Sequence, residues 1–337
     1  MASLSRKIAF AVRKLSLYEI ADLILLSTLL AIFILCSKQL HQLFGIGQSR
    51  FILWDNIRAV YGFPLSYAFS VILAILACIY FGLKYTANNR LQRIKEIVRI
   101  LASFCLMMVI YKVINFYICV FNPSVRDIVL QHIDRFLFFG KLPSEWIDPI
   151  TTPVLTYIFF IAYMSWFTMI YVTLLLMWRH STKAVNEYVT ATIFAFYIGY
   201  ITYAIVPAIG PIYTVHYSKS LGSIMNILTI GQSSLSRDCF PSLHTGISIV
   251  MLIFIRRYRK NLFHFYLFIT IMIIASTQYL RVHYGIDVIA GAALGVGLCQ
   301  VAPVWVEWWN RVQLRFRKTK PSILKAPHAA DSVSELA

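Results

Sequence analysis

The sequence predicts an all-α fold, a polytopic membrane helix bundle with about eight transmembrane helices and both termini cytoplasmic. Three observations carry this expectation. Hydrophobic residues make up 59% of the 337, charged residues only 13%, and mean hydropathy is +0.70, values that a soluble domain rarely approaches. Apolar runs recur at roughly the 20-residue length that crosses a bilayer. Lys and Arg fall in short clusters between those runs, as in chains that fix their orientation by charge.

In chain order, a basic N-terminus (1–18) precedes apolar spans at 19–36, 64–84, 98–121, 151–178, 187–207, 241–257, 261–278 and 286–308. Only "RRYRKN" separates the sixth span from the seventh. With the N-terminus inside, Arg6, Lys7, Arg13 and Lys14, the cluster from Lys84 to Arg99, Arg256 to Lys260 and the basic residues after Arg311 all face the cytoplasm. They outnumber the basic residues opposite by more than two to one, in keeping with positive-inside topology. The formal charge of +17 is therefore spread over membrane flanks, and nucleic acid is excluded as a partner. The basic start and long first apolar run read as a retained signal anchor. Residues 309–337 form a cytoplasmic tail, polar and without periodicity from about Arg315, and read as disordered.

Residues 122–150 alternate charges with aromatic and branched apolar side chains, a pattern suited to the membrane interface with Trp146 at headgroup depth. The six cysteines show no metal-ligand spacing; Cys119 and Cys239 read as packing residues rather than as a disulfide. Lys112, inside the third span, either lines a path or snorkels to the interface.

Two polar clusters stand out. In "RVHYGID", His283 and Asp287 are four apart and share a helical face; a carboxylate on one imidazole nitrogen leaves the other free for chemistry. In "SRDCFPSLHT", Pro241 suits a first helical turn, and free N–H groups there favour an anion such as phosphate. Ser242 adds a hydroxyl, Arg237 a cation with bidentate geometry, and His244 a group able to protonate a leaving alkoxide. An even number of crossings separates His244 from His283, so both return to the same outer or luminal face. Structural readings, a paired His–Asp or an interfacial polar cap, fit either cluster taken alone.

"FPSLH", followed about forty residues later by "ST-x-YL-x-x-HY-x-x-D", resembles the last two motifs of the type 2 phosphatidic acid phosphatase superfamily. Pro241, Ser242 and His244 match the first motif, with Leu243 where Gly is usual. Ser276, His283 and Asp287 match the second, with Thr277 where Arg is usual. Those departures are similar to the inositol phosphorylceramide synthase-like subgroup, and "HYGIDV" to sphingomyelin-synthase-like enzymes. The superfamily's K-x6-R-P motif is not found.

Composition alone marks N-terminal transmembrane helices at 19–121, and the resemblance, strong over about 236–291 and weaker back to about 133, implies a catalytic transmembrane domain at 122–308. It also implies a phosphotransferase that moves a phosphate-containing headgroup from a phospholipid or polyprenyl phosphate donor to ceramide or another lipid alcohol. His283 would be the nucleophile, Asp287 its orienting carboxylate and His244 the acid–base; Arg281, Arg237, Ser242 and Ser276 are candidates to hold phosphoryl oxygens. No cofactor and no catalytic metal are expected. With water as acceptor the same site is a lipid phosphate phosphatase. A non-enzymatic lipid transporter or scaffold is the remaining alternative, although no inverted repeat supports it.

Overall fold

The computed structural model describes residues 14–44, 90–231 and 236–318. Their long helices are α1 (Leu17–Phe44), α2 (Arg90–Phe121), α5 (Pro153–His180), α6 (Thr182–Ile205), α9 (Leu243–Tyr258), α10 (Phe263–Tyr279) and α11 (Gly285–Lys318). Short helices α3 (Asp127–Leu137), α4 (Pro143–Ile147), α7 (Pro211–Thr214) and α8 (Ser223–Gly231) lie between them. Among the described residues the only extended pairing is one isolated bridge between Ala208 and Asp238.

Among the described residues, four helical segments are long and apolar enough to cross a membrane: Pro153–His180, Thr182–Ile205, Lys260–Tyr279 and Gly285–Phe316. They coincide with the fourth, fifth, seventh and eighth expected spans. The expected span at 19–36 falls within α1 and that at 98–121 within α2; the span at 64–84 lies outside the described residues, as does the Lys112 side chain. The sixth expected span is α9, whose 16 residues reach only about 24 Å at 1.5 Å per residue. Helix α11 continues to Lys318, past the boundary expected at 308, because the stretch "EWWNRVQLRFRK" keeps good helix formers and contains no breaker. Residues 319–337 lie outside the described set.

Local chemistry sets the helix ends. Thr152 caps α5 by accepting from the Leu155 N–H at 3.3 Å, with Pro153 in the first turn, where its missing N–H costs nothing. A single residue turns the chain from α5 into α6. The Ser181 N–H donates to the Met177 carbonyl, and its hydroxyl accepts from the Ala184 N–H at 3.1 Å. So short a connection forces the two helices to run antiparallel.

Helix α9 is the central post and packs against α5, α6, α10 and α11. Ile247, Val250, Met251, Phe254 and Ile255 bury its flanks. Its contact with α11 is made by backbone. A Cβ on Gly291 would stand 2.2 Å from the Ser242 carbonyl oxygen, and one on Gly295 2.4 Å from that of Gly246. Small residues of this kind let helices approach closely where lipid supplies no hydrophobic drive.

Helix α3 is amphipathic in an unusual sense. Ile128 and Phe136 are 70% and 86% exposed, whereas Asp127, Leu130 and Asp134 are buried. Its apolar side faces outward, as an interfacial helix requires, and its carboxylates face the protein.

Candidate functional site

The two histidines meet where α9 and α11 begin. His244 sits in the first turn of α9, and His283 ends the tight loop between α10 and α11. His283 Nε2 lies 3.4 Å from His244 Nδ1. The backbone fixes this meeting, because the Ser242 N–H donates to the Asp287 carbonyl at 3.0 Å and ties the two helix starts together.

A hydrogen-bond relay sets the protonation pattern. His283 Nδ1 lies 2.8 Å from the Cys239 carbonyl oxygen. A carbonyl only accepts, so Nδ1 carries the proton and Nε2 of the neutral ring keeps its lone pair. That lone pair faces His244, whose Nδ1 must then be the donor across the 3.4 Å gap. His244 Nε2 is buried without a partner. The Asp287 carboxylate stands 3.4 Å from His283 Nδ1, farther than the carbonyl. Its Oδ2 accepts from the Cys239 thiol at 2.9 Å and from the Tyr284 N–H at 2.8 Å, while Oδ1 has no partner. Burial and the nearby carboxylate hold the Cys239 thiol well above its usual range, so it stays protonated and donates. Cys239 is a free thiol, and sequence alone assigned it no more than packing.

His244 is gripped by α5. Tyr163 stacks on its ring with centroids 4.4 Å apart, Trp166 lies 4.4 Å away at 39°, and Phe167 meets it edge-on. Tyr163 and Trp166 are three apart and share a helical face. Neither stands out from the rest of an aromatic-rich span, so nothing in the sequence singles them out.

Two buried carboxylates on α3 hold the site loops. Asp134 accepts from the Gly285 N–H at 2.6 Å and the Ile286 N–H at 2.8 Å, capping α11 from another helix. Burial nevertheless dominates its charge balance: its pKa is raised to about 6 despite those two bonds. Asp127 accepts from the Ile209 and Gly210 N–H groups and from the Tyr284 hydroxyl, at 3.1, 2.9 and 2.8 Å. The available signal was the spacing of two acids seven apart, which puts them on one helical face.

The remaining expected site residues make other contacts. The Ser242 hydroxyl caps α9, accepting from the Thr245 N–H at 3.3 Å and the Thr245 hydroxyl at 3.2 Å. This sets Pro241 just before the cap rather than in the first turn. The Ser276 hydroxyl donates to the Ile273 carbonyl at 2.6 Å. Arg237 Nη1 donates to the Asn122 carbonyl at 2.8 Å. Arg281 Nη2 bridges Asp148 at 2.9 Å and the Lys219 carbonyl at 2.8 Å, with its guanidinium 4.0 Å over the Tyr217 ring. Burial alone would raise the Asp148 pKa, but hydrogen bonds from Ser218 and Lys219 together with Arg281 hold the carboxyl below its usual range. Neither arginine is hydrogen-bonded to a histidine.

Cys239, His283 and Asp287 offer metal-ligand atoms within 4.8 Å of one another. The thiol–carboxylate bond and the Nδ1–carbonyl bond already join these groups. Chemically, the site presents the His283 Nε2 lone pair, a second imidazole beside it whose Nε2 is also bare, and helix N–H groups free to meet an anion.

A family model described as the PAP2 superfamily matches residues 129–301. The match begins in α3 and ends in α11, enclosing both histidines. No curated protein and no solved structure matches the chain.

Proposed function

We propose that this chain, which belongs to the PAP2 superfamily, transfers a phosphate-containing headgroup from a phospholipid to a lipid alcohol through a phosphohistidine at His283. Membership itself indicates phosphatase or phosphotransferase chemistry on lipid phosphates in an integral membrane protein. One observation carries the mechanism: the His283 Nε2 lone pair, set by the Cys239 carbonyl, faces His244 at 3.4 Å.

Phosphorus enters between the two rings. His283 Nε2 attacks it, and the positive charge on the ring is balanced by the Asp287 carboxylate and held in place by the carbonyl. With Nε2 bonded to phosphorus, His244 Nδ1–H is released from that lone pair and turns to a phosphoryl oxygen. The N–H groups at the start of α9 face the same charge. His244 gives a proton to the departing alcohol and takes one from the incoming hydroxyl.

Transfer is favoured over hydrolysis by the surroundings of His244. Tyr163, Trp166 and Phe167 line it, an apolar setting that admits a lipid alcohol more readily than bulk water. The inositol phosphorylceramide synthase-like assignment remains this proposal's finest level. An eight-span topology places the site on the outer or luminal face.

Purified protein without added metal, given a headgroup-labelled phospholipid with and without ceramide, tests the reading. Label should pass to the lipid alcohol; the free phosphorylated headgroup as the sole labelled product would establish hydrolysis instead. For topology, Ser220→Cys in a background lacking other cysteines should react with an impermeant thiol reagent from outside. Reaction only after permeabilisation reverses the orientation.

A further inference from the structure

Besides Asp287 Oδ1, two buried polar atoms at the paired histidines have no hydrogen-bond partner: His244 Nε2 and the indole Nε1 of Trp166. Their rings are in contact, with centroids 4.4 Å apart. Trp166 itself is only 5% exposed and otherwise packs on Phe167 and Phe196. An indole N–H can only donate. With its proton on Nδ1, toward His283, His244 Nε2 can only accept. A buried donor left without a partner costs about 1–3 kcal/mol, so a donor and an acceptor orphaned on touching rings call for a group that is both. A hydroxyl is that group, and a phosphoryl oxygen, which only accepts, is not.

We infer that Trp166 Nε1–H and His244 Nε2 form the seat of the alcohol oxygen, binding the hydroxyl of the acceptor and, before it, the oxygen of the leaving alcohol. This rests on the phosphohistidine reading. In the second half-reaction the acceptor O–H bond breaks and its proton passes to His244 Nε2. The oxygen lone pair forms the new O–P bond while Trp166 Nε1–H steadies the developing negative charge. The P–N bond to His283 breaks, and its electron pair returns to Nε2. The first half-reaction runs the same seat in reverse: it starts from His244 protonated on both nitrogens, the state the second half-reaction regenerates, and passes the Nε2 proton to the departing alkoxide, which leaves Nε2 bare for the acceptor. Tyr163 and Phe167 close the seat with apolar surface. The ligand class is therefore an alcohol with a hydrocarbon body, its oxygen held by one donor and one base.

The test is Trp166→Phe, which keeps a ring and removes the N–H, measured on paired donors with alkyl and aryl leaving groups. An aryl oxide leaves with little need of a proton or a hydrogen bond, whereas an alkoxide needs both. The expected result is an alkyl-to-aryl rate ratio about 10- to 30-fold lower than in the wild type, the worth of one lost hydrogen bond to developing charge. The aryl rate corrects for any loss of folded protein. An unchanged ratio overturns the seat, whether both rates fall together, as they would if Trp166 held a phosphoryl oxygen or merely packed, or neither falls. The phosphohistidine reading fails separately, if wild-type protein with either donor yields no label on His283.

Discussion

His283 Nε2 and His244 Nδ1 face each other across 3.4 Å, and a backbone carbonyl rather than a carboxylate decides which of them presents its lone pair to the other. The Cys239 oxygen claims the Nδ1 proton of His283 at 2.8 Å, so the lone pair points into the gap.

The two rings should therefore fail differently. His283→Ala should remove acid-labile phosphate label from the protein and abolish turnover. His244→Ala should slow donors with alkyl leaving groups by about 10²- to 10⁴-fold, the usual worth of a positioned acid–base. Quench-flow labelling checks both, and label retained in His283→Ala would place the nucleophile elsewhere.

Asp134 makes stability depend on pH. Its folded-state pKa, raised by burial to about 6, lies above the ordinary carboxylate value. It thus contributes stability that is full below about pH 4 and lost as pH rises through its folded value. Asp134→Asn loses one acceptor at the start of α11 but cannot ionise. The thermal-midpoint gap between wild type and variant should narrow as pH rises from about 4 to 7. A gap that stays constant over that range would show that Asp134 does not titrate there.

Asp148 and Arg281 are a buried pair, with side chains 11% and 5% exposed. Removing one partner leaves the other charge uncompensated, so Asp148→Ala should cost about 3–5 kcal/mol. Asp148→Leu combined with Arg281→Met should cost less than the sum of the two single changes. Denaturation of all four forms in detergent closes the cycle, and additive costs would mean that the pair is not coupled. Arg281 also sits at φ 62°, outside the regions most non-glycine residues adopt, so this pair holds the loop leading to His283.

Glycines on α11 separate packing from propensity. Gly291→Ala sets a Cβ 2.2 Å from the Ser242 carbonyl, whereas one on Gly297 meets nothing within 4 Å. The first should cut activity by about 100-fold or more, the effect of a displacement near 1 Å at reacting groups. The second should leave activity intact and add up to about 1 kcal/mol of stability from helix propensity. Activity and thermal midpoint of both variants decide the matter, and an active Gly291→Ala would show that the seam can open.

Much of this was legible in the sequence, for identifiable reasons. Apolar runs marked α5, α6, α10 and α11 because bilayer thickness imposes a length. The four-residue spacing of His283 and Asp287 marked them as neighbours, although His283 lies in the loop before α11 and reaches Asp287 from there rather than from a shared helical face. What stayed hidden depends on contacts remote in sequence. Asp148 meets Arg281 across 133 residues, and Asp134 caps a helix that begins 151 residues later. Trp166 and Tyr163 look like any aromatic pair in an apolar span until the fold brings them against His244. The Cys239 carbonyl has no side-chain signature at all.

The glycine seam between α9 and α11 also limits how such a site can diversify. Main chain rests on main chain there, so no rotamer change can widen the gap between the histidines, and the pair behaves as a fixed gauge. Under the proposed function, new headgroups or acceptors must be accommodated elsewhere, chiefly by α5, whose Tyr163, Trp166 and Phe167 surround His244. Drift in those parts should change what the protein accepts while leaving how it reacts untouched.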